Sequence, residues 1–283
     1  MSIAQNFSPF STFVEDARNA SRDANRWVAL SWFDFSSRYR RTFVGAFWQT
    51  FETLLFVSVI TLLLGTAFGR SLNEYAVYVA VGIVGWNVLS NAVSGGPRVF
   101  INHAGMIQNM QINLLGLVVR QVGAQFYQFC FDLPVALAAV IILAPGIETG
   151  FGSTEGANVE AGFSLAALTS VLAIIVFMIN AAWISLFLGC VGVFFRGLRF
   201  ALPAFMRFMF FTTPIFWYGD RGIRSVVAKY NPLAHFLEIF RGPLIGNEID
   251  LVSWAVVGVV TLVGWIVAIF TYLRVRASIV FWL

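Results

Sequence analysis

Six stretches of this 283-residue chain stay apolar for the length of a membrane crossing, and no other feature constrains the fold as tightly. They run from Phe47 to Phe68, Tyr75 to Ser94, Leu114 to Leu143, Ser164 to Phe194, Phe200 to Tyr218 and Val252 to Leu273. About 20 helical residues rise through about 30 Å of hydrocarbon, so each block suffices for one crossing. The third and fourth have length left over for tilt or for extension beyond the bilayer. Hydrophobic residues make up 59% of the chain and charged ones 11%, against about 25% charged in soluble domains. Such a sequence needs lipid as its solvent. Glycine and proline recur inside the blocks, as membrane helices tolerate when neighbours satisfy the freed backbone groups. The expectation is a single all-α membrane domain over residues 1–283 with six transmembrane helices.

The arginines orient it. Arg18, Arg22, Arg26, Arg38, Arg40 and Arg41 precede the first block, Arg98 and Arg120 bracket the connection after the second, Arg196 and Arg199 follow the fourth, and Arg274 and Arg276 follow the sixth. Six crossings put all of these on one side. The other side has Arg70 and an acidic loop, Pro145 to Gly162, with Glu148, Glu155 and Glu160. By the positive-inside rule both termini are cytoplasmic. The last external segment, with Arg221, Arg224, Lys229 and Arg241, is the exception, offset by Asp220, Glu238, Glu248 and Asp250. Dispersed in this way, the net charge of +4 reports topology and not nucleic-acid binding. The polar N-terminus lacks the apolar core of a signal peptide, so insertion is expected to rely on the first internal span.

Two further segments read as helices that do not cross. Residues 1–26 form a cytoplasmic arm, and in residues 27–41 Val28, Trp32, Phe35 and Tyr39 make an aromatic stripe beside arginines. That pattern predicts an amphipathic interfacial helix, or else a soluble helix packed on a partner. Within an external region, 219–250, Asn231 is a candidate N-cap with Pro232 at the first helical position, and Leu233, Phe236, Leu237, Phe240 and Leu244 share a face. A segment too short to cross, with His235, Glu238 and Arg241 opposite, predicts short external re-entrant helices between spans five and six, near the mouth of a pathway.

No catalytic centre is legible. A phosphate-binding G-x-x-x-x-G-K-[ST] string is absent, His103 and His235 stand far apart without clustered ligands, and no serine sits in a nucleophile elbow. Cys130 and Cys190 lie in apolar segments, which makes a disulfide or metal site improbable. The chain is therefore expected to bind no cofactor or metal. Charges within the spans, Glu52, Asp132 and Arg207, are the candidates for a pathway, although Arg207 is also placed to snorkel to the surface. The aromatics Tyr75, Tyr78, Phe205, Phe208 and Phe216 are spaced to offer sugars a flat apolar track, with Arg207 among them.

Four strings, taken together over residues 30 to 270, resemble the membrane subunit of ABC-2 type polysaccharide exporters, which move O-antigen, capsule, teichoic acid or galactan chains. They are Ser37-Arg38-Tyr39-Arg40-Arg41-Thr42-Phe43-Val44-Gly45-Ala46-Phe47-Trp48; Tyr75-x-x-Tyr78-x-Ala80-x-Gly82 followed by Trp86-Asn87-x-x-Ser90; Asn102-His103-Ala104-Gly105-Met106-Ile107; and Phe211-Thr212-Thr213-Pro214-Ile215-Phe216-Trp217 with Tyr230-Asn231-Pro232-Leu233 and Glu238-x-x-Arg241-x-Pro243-Leu244. The resemblance implies a homodimer in the bacterial inner membrane with two copies of a separate ABC ATPase, which binds the ATP and magnesium. It implies a polysaccharide substrate on a polyprenyl pyrophosphate lipid, passed between the two permeases. The loop 98–113 becomes the cytoplasmic coupling element, through Asn102, His103, Met106, Ile107 and Gln108. The run from Gln108 to Leu114 departs from the family, where lysines and a proline are common. Arg38, Arg40 and Arg41 suit a lipid diphosphate, because the guanidinium fork matches phosphate oxygens. Anchoring to anionic lipid fits the same residues. An exporter of a small hydrophobic compound, an integral membrane enzyme acting on polyprenyl lipids and a proton-coupled carrier remain as rival expectations.

Overall fold

Backbone groups in hydrocarbon have no water to bond, so they must be satisfied within the chain. The computed structural model describes residues 9–68, 71–110, 112–143, 167–219 and 222–283, and its regular elements among those residues are all helices. In order these are α1 (Pro9–Arg22), α2 (Ala24–Ser37), α3 (Phe47–Leu64, continued by a 3-10 turn Gly65–Phe68), α4 (Leu72–Gly95), α5 (Arg98–Ile101), α6 (Ala104–Asn109), α7 (Leu114–Leu143), α8 (Ala167–Phe194), α9 (Leu198–Thr212), α10 (Gly222–Tyr230), α11 (Pro232–Leu244) and α12 (Leu251–Trp282). Among the described residues five of them, α3, α4, α7, α8 and α12, are long and apolar enough to cross a membrane. The acidic loop expected from Pro145 to Gly162, Arg70 and the Asp220–Arg221 pair lie outside the described residues.

The fifth apolar block, expected as one helix from Phe200 to Tyr218, is helical only to Thr212, in an α9 of 15 residues. Thr213 is extended, with φ −94° and ψ 138°, because the ring of Pro214 drives the residue before it out of the helical region. The helix rises about 22 Å, less than a crossing. Irregular backbone then continues to Gly219. At the other predicted cap, expectation and structure coincide: the Asn231 side chain accepts the Leu233 N–H, and Pro232 follows at the first position.

The bundle is packed around α4, which is buried from Tyr75 through Trp86 and touches α3, α7, α8, α9 and α11. Its valines and Ile83 meet Phe177, Leu237 and Phe240 in one apolar core. A second core lies at the opposite end, where Phe100, Leu117, Leu186 and Tyr272 converge. The segments rich in arginine come together at that same end. Arg98 donates to the Arg199 carbonyl at 3.1 Å, and Arg196 to the Trp282 carbonyl at 3.3 Å.

The N-terminal region departs from the simple arm expected of it. α1 is stitched across the arginine-rich end: the Asp16 carboxylate accepts from the Tyr272 hydroxyl at 2.8 Å and pairs with Arg276 at 3.0 Å, while the Asp16 carbonyl accepts from Asn113 at 2.6 Å. α2 runs along the first half of α7. Arg120 grips Asp34 with two contacts of 2.6 Å, and the Ser31 hydroxyl, fully buried, lies 2.9 Å from the Arg120 carbonyl. Of the expected stripe, Phe35 is buried but Val28 stays 46% exposed. The packed face is rotated toward Trp27, Ser31 and Asp34, and α2 covers α7 as far as Tyr127 and Phe131.

Close backbone approach fixes α5, the start of the loop expected to couple to a partner. A methyl group at Gly192 of α8 would lie 2.6 Å from the Pro97 carbonyl oxygen and 2.8 Å from its Cα. Backbone cannot yield as a side-chain tip does. Gly192→Ala is expected to destabilise the protein by about 1–3 kcal/mol, lowering the thermal midpoint in detergent. Gly258→Ala, where no atom lies within 4 Å of the added carbon, is expected to leave the midpoint unchanged or raise it.

Candidate transport site

The arginine turn begins where α2 stops at Ser37. The Thr42 N–H and hydroxyl both reach back to the Tyr39 carbonyl, at 3.2 and 2.7 Å, and Arg41 takes φ +68°, in the left-handed region that non-glycine residues rarely occupy. Arg38, Arg40 and Arg41 are all exposed, and Arg40 lies 4.7 Å over the ring of Phe33. Among the described residues no carboxylate stands within ion-pair distance of any of the three. Tyr39 turns the other way, into the bundle, and donates to Gln49 Oε1 at 2.7 Å. Burial raises its phenol above the usual value, the charge of Arg38 opposes that, and the carboxylates of Glu52 and Asp132 raise it further. The hydroxyl accordingly keeps its proton and remains a donor.

Beyond Gln49 lies the buried carboxylate of Asp132 on α7, 1% exposed. It accepts from Gln49 Nε2 at 2.9 Å, from the Thr53 hydroxyl at 2.6 Å and from Asn87 Nδ2 at 3.1 Å. Glu52, its companion among the sequence candidates, is exposed on α3. The sequence marked Asp132 as an intramembrane charge. The spacing of Gln49 and Thr53, one helical turn apart on the same face, is the signal that would have shown where it bonds.

The six residues expected to line a channel do not share one surface. Phe205 and Phe208 are 51% and 61% exposed on α9, together with Arg207, Phe200 and Phe211. Phe216, half-buried, stacks on Phe210 with ring centroids 5.4 Å apart. Tyr75 and Tyr78 instead point into the bundle, 0% and 4% exposed, and in the single chain they face no channel. Their hydroxyls serve the broken backbone after α9: Tyr75 donates to the Phe216 carbonyl at 2.7 Å, and Tyr78 lies 3.1 and 3.0 Å from those of Pro214 and Trp217. Arg241 of α11 completes this clasp. Its side chain is 4% exposed, donates to the Pro214 carbonyl at 2.7 Å, pairs with Glu238 at 3.1 Å and sits 3.9 Å over the ring of Tyr78. Carbonyls released by a helix break thus find donors from two neighbouring helices, as backbone away from water requires.

The clasp forms one wall of a cavity of about 530 Å³ whose lining includes Lys229, His235, Glu238, Arg241 and Asp250. Partial burial works to raise the Asp250 carboxyl, but hydrogen bonds from the Ser253 side chain and backbone and from the Val252 N–H, with the neighbouring His235, outweigh it and hold the group below the usual carboxylate range.

In the loop 98–113, Ile107 is buried against the second core and His103 Nδ1 lies 2.8 Å from the Val99 carbonyl. Asn102 and Gln108 are exposed and Met106 is half-buried. The loop therefore has an anchored side and a free polar side. No group of His, Cys, Asp or Glu suited to a metal occurs among the described residues.

Residues 25–245, from the start of α2 to the end of α11, match the family model of the ABC-2 type transporter. The chain belongs to that family. Among relatives, it is 21% identical to the O-antigen export system permease protein RfbA of Myxococcus xanthus over 218 residues, covering 76% of this chain and 78% of that one. It is also 21% identical to the RfbA permease of Klebsiella pneumoniae over 255 residues, 88% of this chain and 92% of that protein. An ABC-2 permease is a transport subunit and not an enzyme, and its ATPase is a separate subunit. For this ABC-2 permease, the strings Thr213-Pro214, Tyr75-x-x-Tyr78 and Glu238-x-x-Arg241 are the parts of one clasp.

Arg241→Met is expected to cost about 2–3 kcal/mol, since it leaves Glu238 without its charged partner and the Pro214 carbonyl with one donor fewer. Tyr78→Phe is expected to cost about 1 kcal/mol. Thermal unfolding of the detergent-purified protein reads both, with Arg241→Met the larger drop.

Proposed function

We propose that this permease flips a polysaccharide carried on polyprenyl pyrophosphate and feeds the chain outward across the bacterial cytoplasmic membrane, as a homodimer driven by two copies of a separate ABC ATPase that binds ATP and magnesium. In this reading α9 and the irregular segment to Tyr218 together make the sixth crossing. Their ends support it, since Arg199 meets Arg98 at the arginine-rich end and Trp217 meets Tyr78 near the start of α4. The arginine-rich end is cytoplasmic, both termini lie there, α2 sits at the interface, and α10 and α11 are the external re-entrant helices.

The observation that carries the substrate class is the arginine turn. Three exposed guanidinium groups, with no carboxylate partner among the described residues, stand at the foot of α3 and offer their donors to phosphate oxygens. Beside them, the outer faces of α3 and α9 are exposed and aromatic, with Trp48 at 48%, Phe51 at 49%, Phe208 at 61% and Phe211 at 65%. Facing a second copy, those surfaces make a track on which sugar rings slide without deep wells, with Arg207 beside it. Asn102, His103, Met106, Ile107 and Gln108 are the contact to the ATPase. The names of the two relatives, both O-antigen export permeases, agree with this substrate class.

In proteoliposomes holding the permease with its ATPase, Arg38→Gln, Arg40→Gln and Arg41→Gln combined are expected to cut the increment in ATP hydrolysis produced by a lipid-linked glycan about tenfold or more, measured against the variant's own basal rate. An unchanged increment removes the arginines from the site. An increment produced by a small hydrophobic compound and not by the glycan-lipid overturns the substrate class.

A further inference from the structure

Hydrocarbon solvates an apolar side chain about as well as a neighbouring helix does, so apolar contact alone gives a membrane helix little reason to stay in one place. α3 is an extreme case. Of its residues Phe47–Leu64 only Gln49, Thr53 and Val57 are buried, and the first two bond to Asp132. Thr50 adds a hydrogen bond to the Phe131 carbonyl at 2.5 Å, in the same place. Further along, α3 parts from α4 and α7 around an apolar cavity of about 410 Å³, lined by Leu54, Thr61, Ala80, Val135 and Ala139 among others. The buried polar contacts of α3 therefore converge on Asp132 and the adjoining Phe131 carbonyl.

The same carboxylate reaches the arginine turn. Gln49 uses both ends of its amide: Nε2 donates to Asp132, while Oε1 accepts from Tyr39 and, at 3.3 Å, from Gln128. Tyr39 in turn closes the loop through its own carbonyl, which holds Thr42. Arg40 and Arg41 lie between those two fixed residues, and Arg38 directly precedes them. Among the described residues Asp132 has no cationic partner, so three neutral donors alone hold a carboxyl group whose burial away from water is costly. A residue needed only for packing would be better replaced by an apolar one.

We propose that Asp132 is a positioning residue for the arginine turn, fixing Arg38, Arg40 and Arg41 at one height and orientation beside α3 through the relay Asp132, Gln49, Tyr39. The proposal rests on the lipid-diphosphate reading of those arginines. The relay makes the geometry of a substrate contact at the interface depend on a group buried inside the bundle, and moving α3 away from α7 would disperse the three guanidinium groups.

Two readouts test it in the reconstituted complex. A spin label at Phe43→Cys, in a background without Cys130 and Cys190, reports the mobility of the turn with no substrate present. The concentration of polyprenyl diphosphate giving half-maximal stimulation of ATP hydrolysis reports the contact. Tyr39→Phe, which removes one hydroxyl and keeps the ring, and Gln49→Leu, which leaves Thr53 and Asn87 on the carboxylate, are each expected to mobilise the label and raise the half-saturating concentration about fivefold. Asp132→Asn is expected to do the same, with a lower thermal midpoint. Val57→Ala, which loosens α3 without touching the relay, is expected to alter the midpoint and neither readout. An unchanged label in Tyr39→Phe and Gln49→Leu, or equal mobilisation by Val57→Ala, overturns the relay whatever the arginines do. Half-saturation that rises in the triple arginine variant but not in the relay variants overturns the positioning role and leaves the arginine reading intact. Half-saturation untouched in the triple variant overturns both.

Discussion

The constraint on which this structure depends is that a polar group in hydrocarbon must find its partner inside the protein, while an apolar one need not. The exposed leucines and phenylalanines of α3, α9 and α12 are as well accommodated by hydrocarbon as by another apolar surface and fix little. What fixes the arrangement is a small number of polar assemblies. Asp132 holds α3, Arg120 with Asp34 holds α2, Asp16 ties α1 to α12, and Arg241 with Tyr75 and Tyr78 holds the irregular backbone after α9. Each joins segments distant in sequence, and each leaves a buried charge or carbonyl stranded if one member is removed.

Those assemblies divide the molecule by function. The clasp around Pro214 and the cavity beside it shape one end, where a helix that is too short is completed by bonded but irregular chain. The Asp132 group and the arginine turn shape the other. Between them runs α4, buried along most of its length and lending Asn87 to one assembly and its two tyrosines to the other. α4 packs closely with α7, α8 and α11, whereas α3 buries only Gln49, Thr53 and Val57 and borders an apolar cleft.

Much of the site was visible in outline. The exposure of Arg38, Arg40 and Arg41, the burial of Ile107 in the loop 98–113 and the exposed aromatic face of α9 are what residue type and helical period favour. The placement of Tyr75 and Tyr78 is not. In sequence they share the spacing of pathway aromatics, and nothing local distinguishes a tyrosine offered to a sugar from one whose hydroxyl caps a distant carbonyl. The arm before α2 was equally opaque, because the partners of the Asp16 carboxylate, Tyr272 and Arg276, lie 256 and 260 residues away.

By itself the sequence determined the solvent, the all-helical class and the clustering of arginine-bearing segments, because these follow from composition and from the sum of local preferences. Pro214, read in the sequence as a proline tolerated within the fifth block, is where that block ceases to be helix. Only the tertiary structure decided which polar residues meet: that Gln49 and Thr53 share a carboxylate with Asn87, and that Arg241 and two tyrosines satisfy the break. Helical period says which face a residue occupies, but the partner it finds depends on how helices far apart in the chain are brought side by side.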